Sequence, residues 1–137
     1  DGFVVPDLPL EESGPLREVA RSRKLDLALL ASPASDDARI AALSKATRGF
    51  LYLVSTYGVT GARDAIDPRA PALVARAKKA AGSTPVCVGF GVSTAEHVRA
   101  LSEAGADGVI VGSALVARIE RGESAAQIAS WAAKLRG

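Results

Sequence analysis

Short apolar runs recur along the chain at nearly regular intervals, each rich in Val, Leu and Ile. There are five of them, over residues 3–5, 27–31, 50–54, 86–88 and 109–111. Continuous runs of this length are typical of strands buried on both faces of a parallel sheet, whereas half-exposed strands alternate apolar and polar positions. The pattern therefore predicts five parallel strands, each buried on both faces.

The segments between these runs have helical spacing of apolar residues and recognisable helix start signals. The predicted helices are residues 15–22 with Pro15 in the first turn, residues 37–46 capped by Asp36, a helix opened by Asp67 and Pro68, a helix with a Ser93–Glu96 capping box, a short helix over 114–120, and a last helix with a Ser124–Gln127 box. Strands that alternate with helices at this spacing indicate βα units and a parallel sheet.

Glycine follows each of the last two runs, at the junction with the next helix. Gly89 and Gly91 come after the fourth run, and Gly112 and Ser113 come after the fifth. Glycine lets backbone N–H groups approach an anion closely, and a helix N-terminus adds partial positive charge. Two such junctions in succession near the end of a βα chain are typical of the phosphate site of a TIM barrel.

The predicted fold class is therefore α/β, a TIM (β/α)8 barrel of which this chain holds about the last five strands and their helices. A complete barrel needs about 250 residues, and the chain has 137. Residues 1–137 are interpreted as the C-terminal part of one domain, because the chain opens directly on a strand and contains no Met. A small doubly wound sheet is the alternative, which the position of the glycine pairs disfavours.

Charge and composition exclude several classes of function. The net charge of +2 gives no basis for binding nucleic acid, and no apolar run approaches the length of a membrane span. The one cysteine, Cys87, cannot form an internal disulfide and fits a reducing, cytoplasmic compartment. The one histidine, His97, leaves no basis for a histidine–cysteine metal site and is expected at the surface without a role.

Four segments carry a resemblance to a known family. They are VPDLPLEES at 5–13, YLVSTYGVTG at 52–61, GFGVS at 89–93 and GSALV at 112–116. Each lies at the C-terminal end of a predicted strand, and together they resemble the alpha subunit of tryptophan synthase. The resemblance extends over the whole chain and implies that it starts at the fourth strand of that family.

The resemblance implies an enzyme without a cofactor, a carbon–carbon lyase of tryptophan biosynthesis. The family cleaves indole-3-glycerol phosphate to indole and glyceraldehyde 3-phosphate, and passes indole to a beta subunit within an alpha2beta2 heterotetramer. Its acid and base are a glutamate and an aspartate that match nothing in this chain and would lie upstream of residue 1. No catalytic residue is therefore assigned here, and the isolated chain is expected to be inactive.

Individual residues match the substrate site of the family. Gly61, Gly91, Gly112 and Ser113 match its phosphate binders, although glycines at these positions could simply form tight turns. The indole pocket of the family is matched by Phe90 and Tyr52, of which Tyr52 could equally be barrel core. Leu29 and Leu30 end the second run at the same rim and could also border that pocket, but they are interpreted as core.

Two further matches concern loops. Thr60 lies in the segment that corresponds to the family's closing lid, with a long surface loop as the alternative. Asp7 and Pro9 match the loop that contacts the beta subunit, although Asp between two prolines is also common turn chemistry.

Three other functions stay open from the sequence. Another phosphate-binding barrel is disfavoured by the 52–61 segment and by Asp7 between two prolines. A stand-alone lyase that releases free indole would carry the same motifs. A non-catalytic half-barrel that binds phosphate and pairs with a second copy to cover its sheet edges is the alternative from another class.

Overall fold

The computed structural model describes residues 1–55, 67–89 and 91–136, in which strands and helices alternate. The strands are β1 (Gly2–Val4), β2 (Asp26–Ala28), β3 (Leu30–Ala31), β4 (Leu51–Val54), β5 (Val86–Gly89) and β6 (Gly108–Ile110). The helices are α1 (Gly14–Ser22), α2 (Asp37–Ala46), α3 (Ala70–Ala81), α4 (Ala95–Glu103), α5 (Ser113–Glu120) and α6 (Ala125–Leu135), and a single 3-10 turn covers Leu10–Glu12. The predicted alternation of strands and helices is confirmed.

All ladders are parallel, and neighbouring strands follow chain order. β1 pairs with β2, and β3 to β6 pair in the order of their numbers. Only Leu29 separates β2 from β3, because its N–H leaves the ladder and donates to Thr47 Oγ1 at 2.9 Å. A doubly wound sheet reverses its strand order at a switch point. The uninterrupted order seen here is that of a barrel wall.

One face of the sheet carries the hydrophobic core. Residues paired in register in parallel strands point to the same side, and the helix-facing positions other than Phe3 and Val109 are almost completely buried. They are Leu27, Leu29, Ala31, Leu51, Leu53, Val86 and Val88. Ile40 of α2, Val74 of α3 and Leu101 of α4 join them in one cluster and are each 0% exposed. The helices therefore cover this face.

The opposite side, here called the open face, is formed by Val4, Ala28, Leu30, Tyr52, Val54, Cys87 and Ile110. None of these residues belongs to the core cluster, and apart from Ala28 they are half-buried or exposed. The prediction of strands buried on both faces therefore holds for only one face in the described part of the chain. Successive right-handed βα connections bring the helices to the same side, and this leaves the open face outside the core.

Side-chain capping explains where α2 and α6 begin. Asp36 accepts the N–H of Arg39 at 2.7 Å and begins α2 as predicted. Ser124 and Gln127 form the complete predicted capping box at the start of α6. These caps bind groups only three residues away, so the sequence alone contains the whole interaction.

Two predicted helix starts are wrong. Asp67 and Pro68 precede α3 in a turn, where the Asp67 carboxylate accepts the N–H of Arg69 at 2.9 Å and its carbonyl accepts that of Ala70 at 2.8 Å. Pro71, rather than Pro68, lies in the first turn of that helix. The cap of α4 is Thr94 rather than Ser93, because the Thr94 side chain accepts the N–H of His97.

Thr47 connects three pieces of backbone through one buried hydroxyl. Its Oγ1 accepts from Leu29 N–H and lies 2.9 Å from the carbonyl of Phe50 and 3.2 Å from that of Leu27, so its proton can be shared between them. Thr47→Val keeps the shape and leaves the Leu29 N–H unpaired. We expect the free energy of unfolding to fall by about 1–3 kcal/mol, measured by urea denaturation.

Thr84→Val is the matched control. The Thr84 hydroxyl is only half-buried and donates to a helical carbonyl, that of Ser44, at 3.3 Å. Its loss should cost roughly 0.5 kcal/mol. Equal losses for the two variants would contradict the role assigned to Thr47.

Candidate functional site

The last two strands end side by side at one rim of the sheet. Gly89 of β5 and Ile110 of β6 are register partners. Gly91 and Gly112 each lie two residues further along, and Ser113 follows as the first residue of α5. The predicted phosphate-binding residues within the described part of the chain therefore lie at the C-terminal rim of two paired strands.

Gly91 has a backbone conformation that only glycine adopts without strain. Its φ is +77°, in the left-handed region. The next residue, Val92, is 3% exposed and belongs to the core cluster. The turn is therefore bound to the core on one side while Gly91 remains half-buried at the rim.

Gly112 and α5 provide an open helix N-terminus. Gly112 is the N-cap residue, no side chain caps the helix there, and its carbonyl accepts the N–H groups of Leu115 and Val116 at 2.9 and 3.1 Å. A Cβ placed on Gly112 would meet no atom within 4 Å. Both Gly112 and Ser113 are exposed. This end can accept an anion through backbone N–H groups, the Ser113 hydroxyl and the helix dipole.

The end of β4 is tied to β5 at the same level. Ser55 donates twice to the Gly89 carbonyl, from its backbone N–H at 3.1 Å and from its hydroxyl at 2.9 Å. The chain continues from there into residues 56–66. The predictions for Gly61, Thr60 and Phe90 fall outside the described residues.

Tyr52 lies on the open face directly below this rim. Its ring crosses to β5 and covers Gly89: a Cβ on Gly89 would lie 2.6 Å from Tyr52 Cζ and nearer still to the hydroxyl. Burial raises the pKa of the Tyr52 phenol further above neutral. Gly89 is thus required by the close approach of an aromatic side chain from the neighbouring strand.

Sequence reasoning missed Val54 and Ile110 beside Tyr52. Its interpretation of Leu30 as core is wrong, because Leu30 lies outside the core cluster. Leu30, Val54 and Ile110 share the open face with it and are half-buried. Leu29, by contrast, is 1% exposed on the helix-facing side, as predicted for core. Period-two spacing from Tyr52 would have found Val54, but a continuous apolar run does not indicate which of its two faces is covered.

Asp7 and Pro9 lie at the same end of the sheet, after β1. They are exposed and border a cleft of about 640 Å³ that Leu30, Val54 and Arg39 also line. The cleft therefore reaches from the loop after β1 to the open face. The two residues predicted at a partner interface are accessible and adjacent to the candidate site.

An ion pair holds this loop to α2. The Arg39 guanidinium donates twice to the Glu11 carboxylate, with an Nη2–Oε2 distance of 2.9 Å in one of the two bonds. The Arg39 hydrogen bond, together with a backbone hydrogen bond, lowers the pKa of Glu11 from 4.5 to about 2. Glu11 is therefore ionised at neutral pH and is unsuited to donate a proton.

The described ranges contain no cluster of three His, Cys, Asp or Glu side chains that could hold a metal ion. Nor does that part of the chain contain a helix long and apolar enough to cross a bilayer. The candidate site thus consists of backbone N–H groups, one hydroxyl and an apolar face.

Parallel strands in chain order, helices on one face and glycine turns at the last two strand ends define part of a TIM barrel. The family model for the tryptophan synthase alpha chain matches residues 1–136. The alpha chain of Arabidopsis thaliana is 47% identical over 92% of this chain, and that of Synechococcus elongatus is 52% identical over 88%. This chain belongs to the tryptophan synthase alpha chain family.

Solved structures agree with this assignment. The tryptophan synthase complex from Pyrococcus furiosus matches all of this chain with a TM-score of 0.86 at 38% identity. An alpha subunit from the same organism matches with a TM-score of 0.85 at 40% identity. The chain spans 46% and 45% of the two sequence relatives and 55% of each structure. The predicted family and barrel fold are confirmed.

The Glu11–Arg39 pair should give stability a defined dependence on pH. The pKa of Glu11 is lower in the folded state, so its contribution is present above about pH 4.5 and is lost as the pH falls towards 2. The stability difference between the wild type and Glu11→Gln should be constant near neutral pH and shrink over this interval. Thermal unfolding from pH 2 to 7 measures it.

Glu12→Gln is the control for this titration. It removes the same charge one residue along the chain and leaves the Arg39 pair in place. Its unfolding curve should keep the pH dependence that Glu11 contributes. The assignment would be wrong if Glu11→Gln and the wild type lost stability in parallel below pH 4.5.

Gly89→Ala tests the contact with Tyr52. The added methyl group would overlap the phenol ring, and we expect a loss of about 1–3 kcal/mol in the free energy of unfolding. The same substitution in a Tyr52→Ala background should cost less, because the ring is gone. A double-mutant cycle, measured by urea denaturation, gives the coupling free energy between Gly89→Ala and Tyr52→Ala.

Gly14→Ala is the control for the substitution itself. A Cβ at Gly14 would meet nothing within 4 Å. It should therefore cause no loss of stability. Additive effects of Gly89→Ala and Tyr52→Ala would contradict the close approach.

Proposed function

We propose that this chain is part of a lyase that cleaves indole-3-glycerol phosphate to indole and glyceraldehyde 3-phosphate in tryptophan biosynthesis. The observation that carries the proposal is the pair of glycine turns at Gly91 and Gly112. Each turn lies two residues beyond one of the register partners Gly89 and Ile110, at the rim of the open face that carries Tyr52. Residues 1–137 form, in this proposal, the C-terminal part of one phosphate-binding barrel domain. The family assignment supports it.

The phosphate group is held at the rim. Gly91 allows close approach of the backbone because no side chain occupies its left-handed turn. Gly112 leaves open space in front of α5, whose N-terminus and Ser113 hydroxyl favour a dianion. Gly61 completes the grip by its match to the family.

The indole ring lies along the open face. Tyr52 offers an aromatic surface half-buried below the rim, and Phe90 is its counterpart by the family match. Leu30 and Ile110 extend the apolar surface on either side of Tyr52. Such a surface fits an indole ring, because it buries apolar area and permits edge-on ring contacts.

Cleavage requires a proton for indole C3 and a base for the hydroxyl of the glycerol chain. Among the carboxylates after β1, Glu11 is unsuited as the acid, because Arg39 keeps it ionised. The acid and the base come from residues outside this chain, as the family match implies. The chain contributes the phosphate-binding site, part of the indole pocket and, at Thr60, the lid.

The partner surface is the loop at Asp7 and Pro9. Both are exposed at the cleft next to the candidate site. One similar structure is described as the a2b2 complex of tryptophan synthase. We propose that a beta subunit contacts this loop in an alpha2beta2 assembly and receives indole. A cytoplasmic location accompanies this proposal, because the one cysteine cannot form an internal disulfide.

Ser113→Ala tests the phosphate grip. Titration of this chain with glycerol 3-phosphate should show binding that the variant weakens by roughly tenfold to a hundredfold, because one hydrogen bond to a charged group is lost. Ser124→Ala removes a hydroxyl from the N-cap of the neighbouring helix α6 and should leave the affinity unchanged. Equal affinity of the wild type and Ser113→Ala would count against the site.

Indole release from indole-3-glycerol phosphate tests whether the acid and the base come from residues outside this chain. The 137-residue chain alone should show no turnover, because the acid and base are absent. Light scattering in the same buffer distinguishes a monomer from a self-paired half-barrel. Turnover by the isolated chain would overturn the assignment of the catalytic groups.

A further inference from the structure

His97 is a buried histidine that the proposed reaction does not use. It lies in the first turn of α4 and is 7% exposed, although the sequence predicted a surface residue without a role. Its Nδ1 accepts the backbone N–H of Ser93 at 3.3 Å. The imidazole therefore bonds the segment that connects Gly91 to the helix.

The arrangement is a variant of the capping box. Thr94 is the N-cap and accepts the N–H of His97 at 3.3 Å, as in the usual motif. In that motif a Glu or Gln at the position of His97 would bond the N–H of the cap residue. Here an imidazole bonds the N–H one residue earlier, on Ser93, and so extends the restraint towards the glycine turn.

Three consecutive restraints then follow Gly91. Val92 is buried in the core, the Ser93 N–H is bonded to His97, and Thr94 caps α4. Gly91 itself has a left-handed conformation, which is one of several that an unrestrained glycine samples. The His97 bond reaches the turn from a side chain of the following helix.

We propose that His97 is a positioning residue, which fixes the Gly91–Thr94 turn through Ser93 and thereby orients the backbone that faces the phosphate group. The effect of His97 on phosphate binding rests on the proposed phosphate site, whereas the Ser93–His97 hydrogen bond does not. The role needs an unprotonated Nδ1, so the ring must carry its proton on Nε2.

Nitrogen-15 NMR of the wild-type chain tests the tautomer directly. At pH 8 the side-chain spectrum should show the His97 ring protonated at Nε2 only. A ring that carries its proton on Nδ1 in the folded chain would overturn the proposal, since Nδ1 could not then accept from Ser93.

Two substitutions of similar size separate the hydrogen bond from packing. His97→Asn places a carbonyl oxygen the same number of bonds from Cα as Nδ1, whereas His97→Leu fills the space without an acceptor. Hydrogen exchange of the Ser93 amide should be roughly fivefold to tenfold faster in the Leu variant, and close to wild type in the Asn variant. Equal exchange in the two variants would contradict the positioning role.

Binding of glycerol 3-phosphate gives the functional readout. We expect the Leu variant to bind several-fold more weakly and the Asn variant to recover most of the affinity. Unchanged affinity in a folded Leu variant would overturn the effect on the phosphate site. If the wild type itself does not bind, the proposed function fails, while the tautomer and the Ser93 exchange rate still decide whether His97 fixes the turn.

Discussion

Parallel pairing of the strands in chain order is the constraint from which the other features follow. It aligns Tyr52, Cys87 and Gly108 across three strands and brings every C-terminal strand end to the same rim. Because each connecting helix returns on the same side, one face becomes a closed core and the other stays available for a ligand. The candidate site lies where the open face meets the rim.

Close packing at this junction explains where glycine occurs. Gly89 makes room for the ring of Tyr52, and Gly91 adopts a left-handed conformation that would strain most other residues. The Ser55 side chain and backbone both donate to the Gly89 carbonyl, so the end of β4 is attached to β5 by two hydrogen bonds. The rim is therefore an extension of the packed sheet, which suits the proposed phosphate site.

The first loop of the chain is fixed by a different kind of interaction. Glu11 is exposed and Arg39 is only half-buried, so their charge pair contributes modestly to stability, but its two parallel hydrogen bonds specify a geometry. Arg39 belongs to α2, which packs on the helix-facing core through Ile40. The exposed residues Asp7 and Pro9 are consequently attached to the same body as the candidate site.

The sequence by itself determined the strands, most helices, the family, and the positions of Gly91, Gly112 and Ser113, because these depend on local pattern and on caps three residues long. Only the tertiary structure decided that Tyr52 covers Gly89, that Leu30 and Ile110 share its face, and that His97 is buried. The partners of Tyr52 lie more than twenty residues away along the chain. Such contacts arise from strand register and helix packing, which no local pattern encodes.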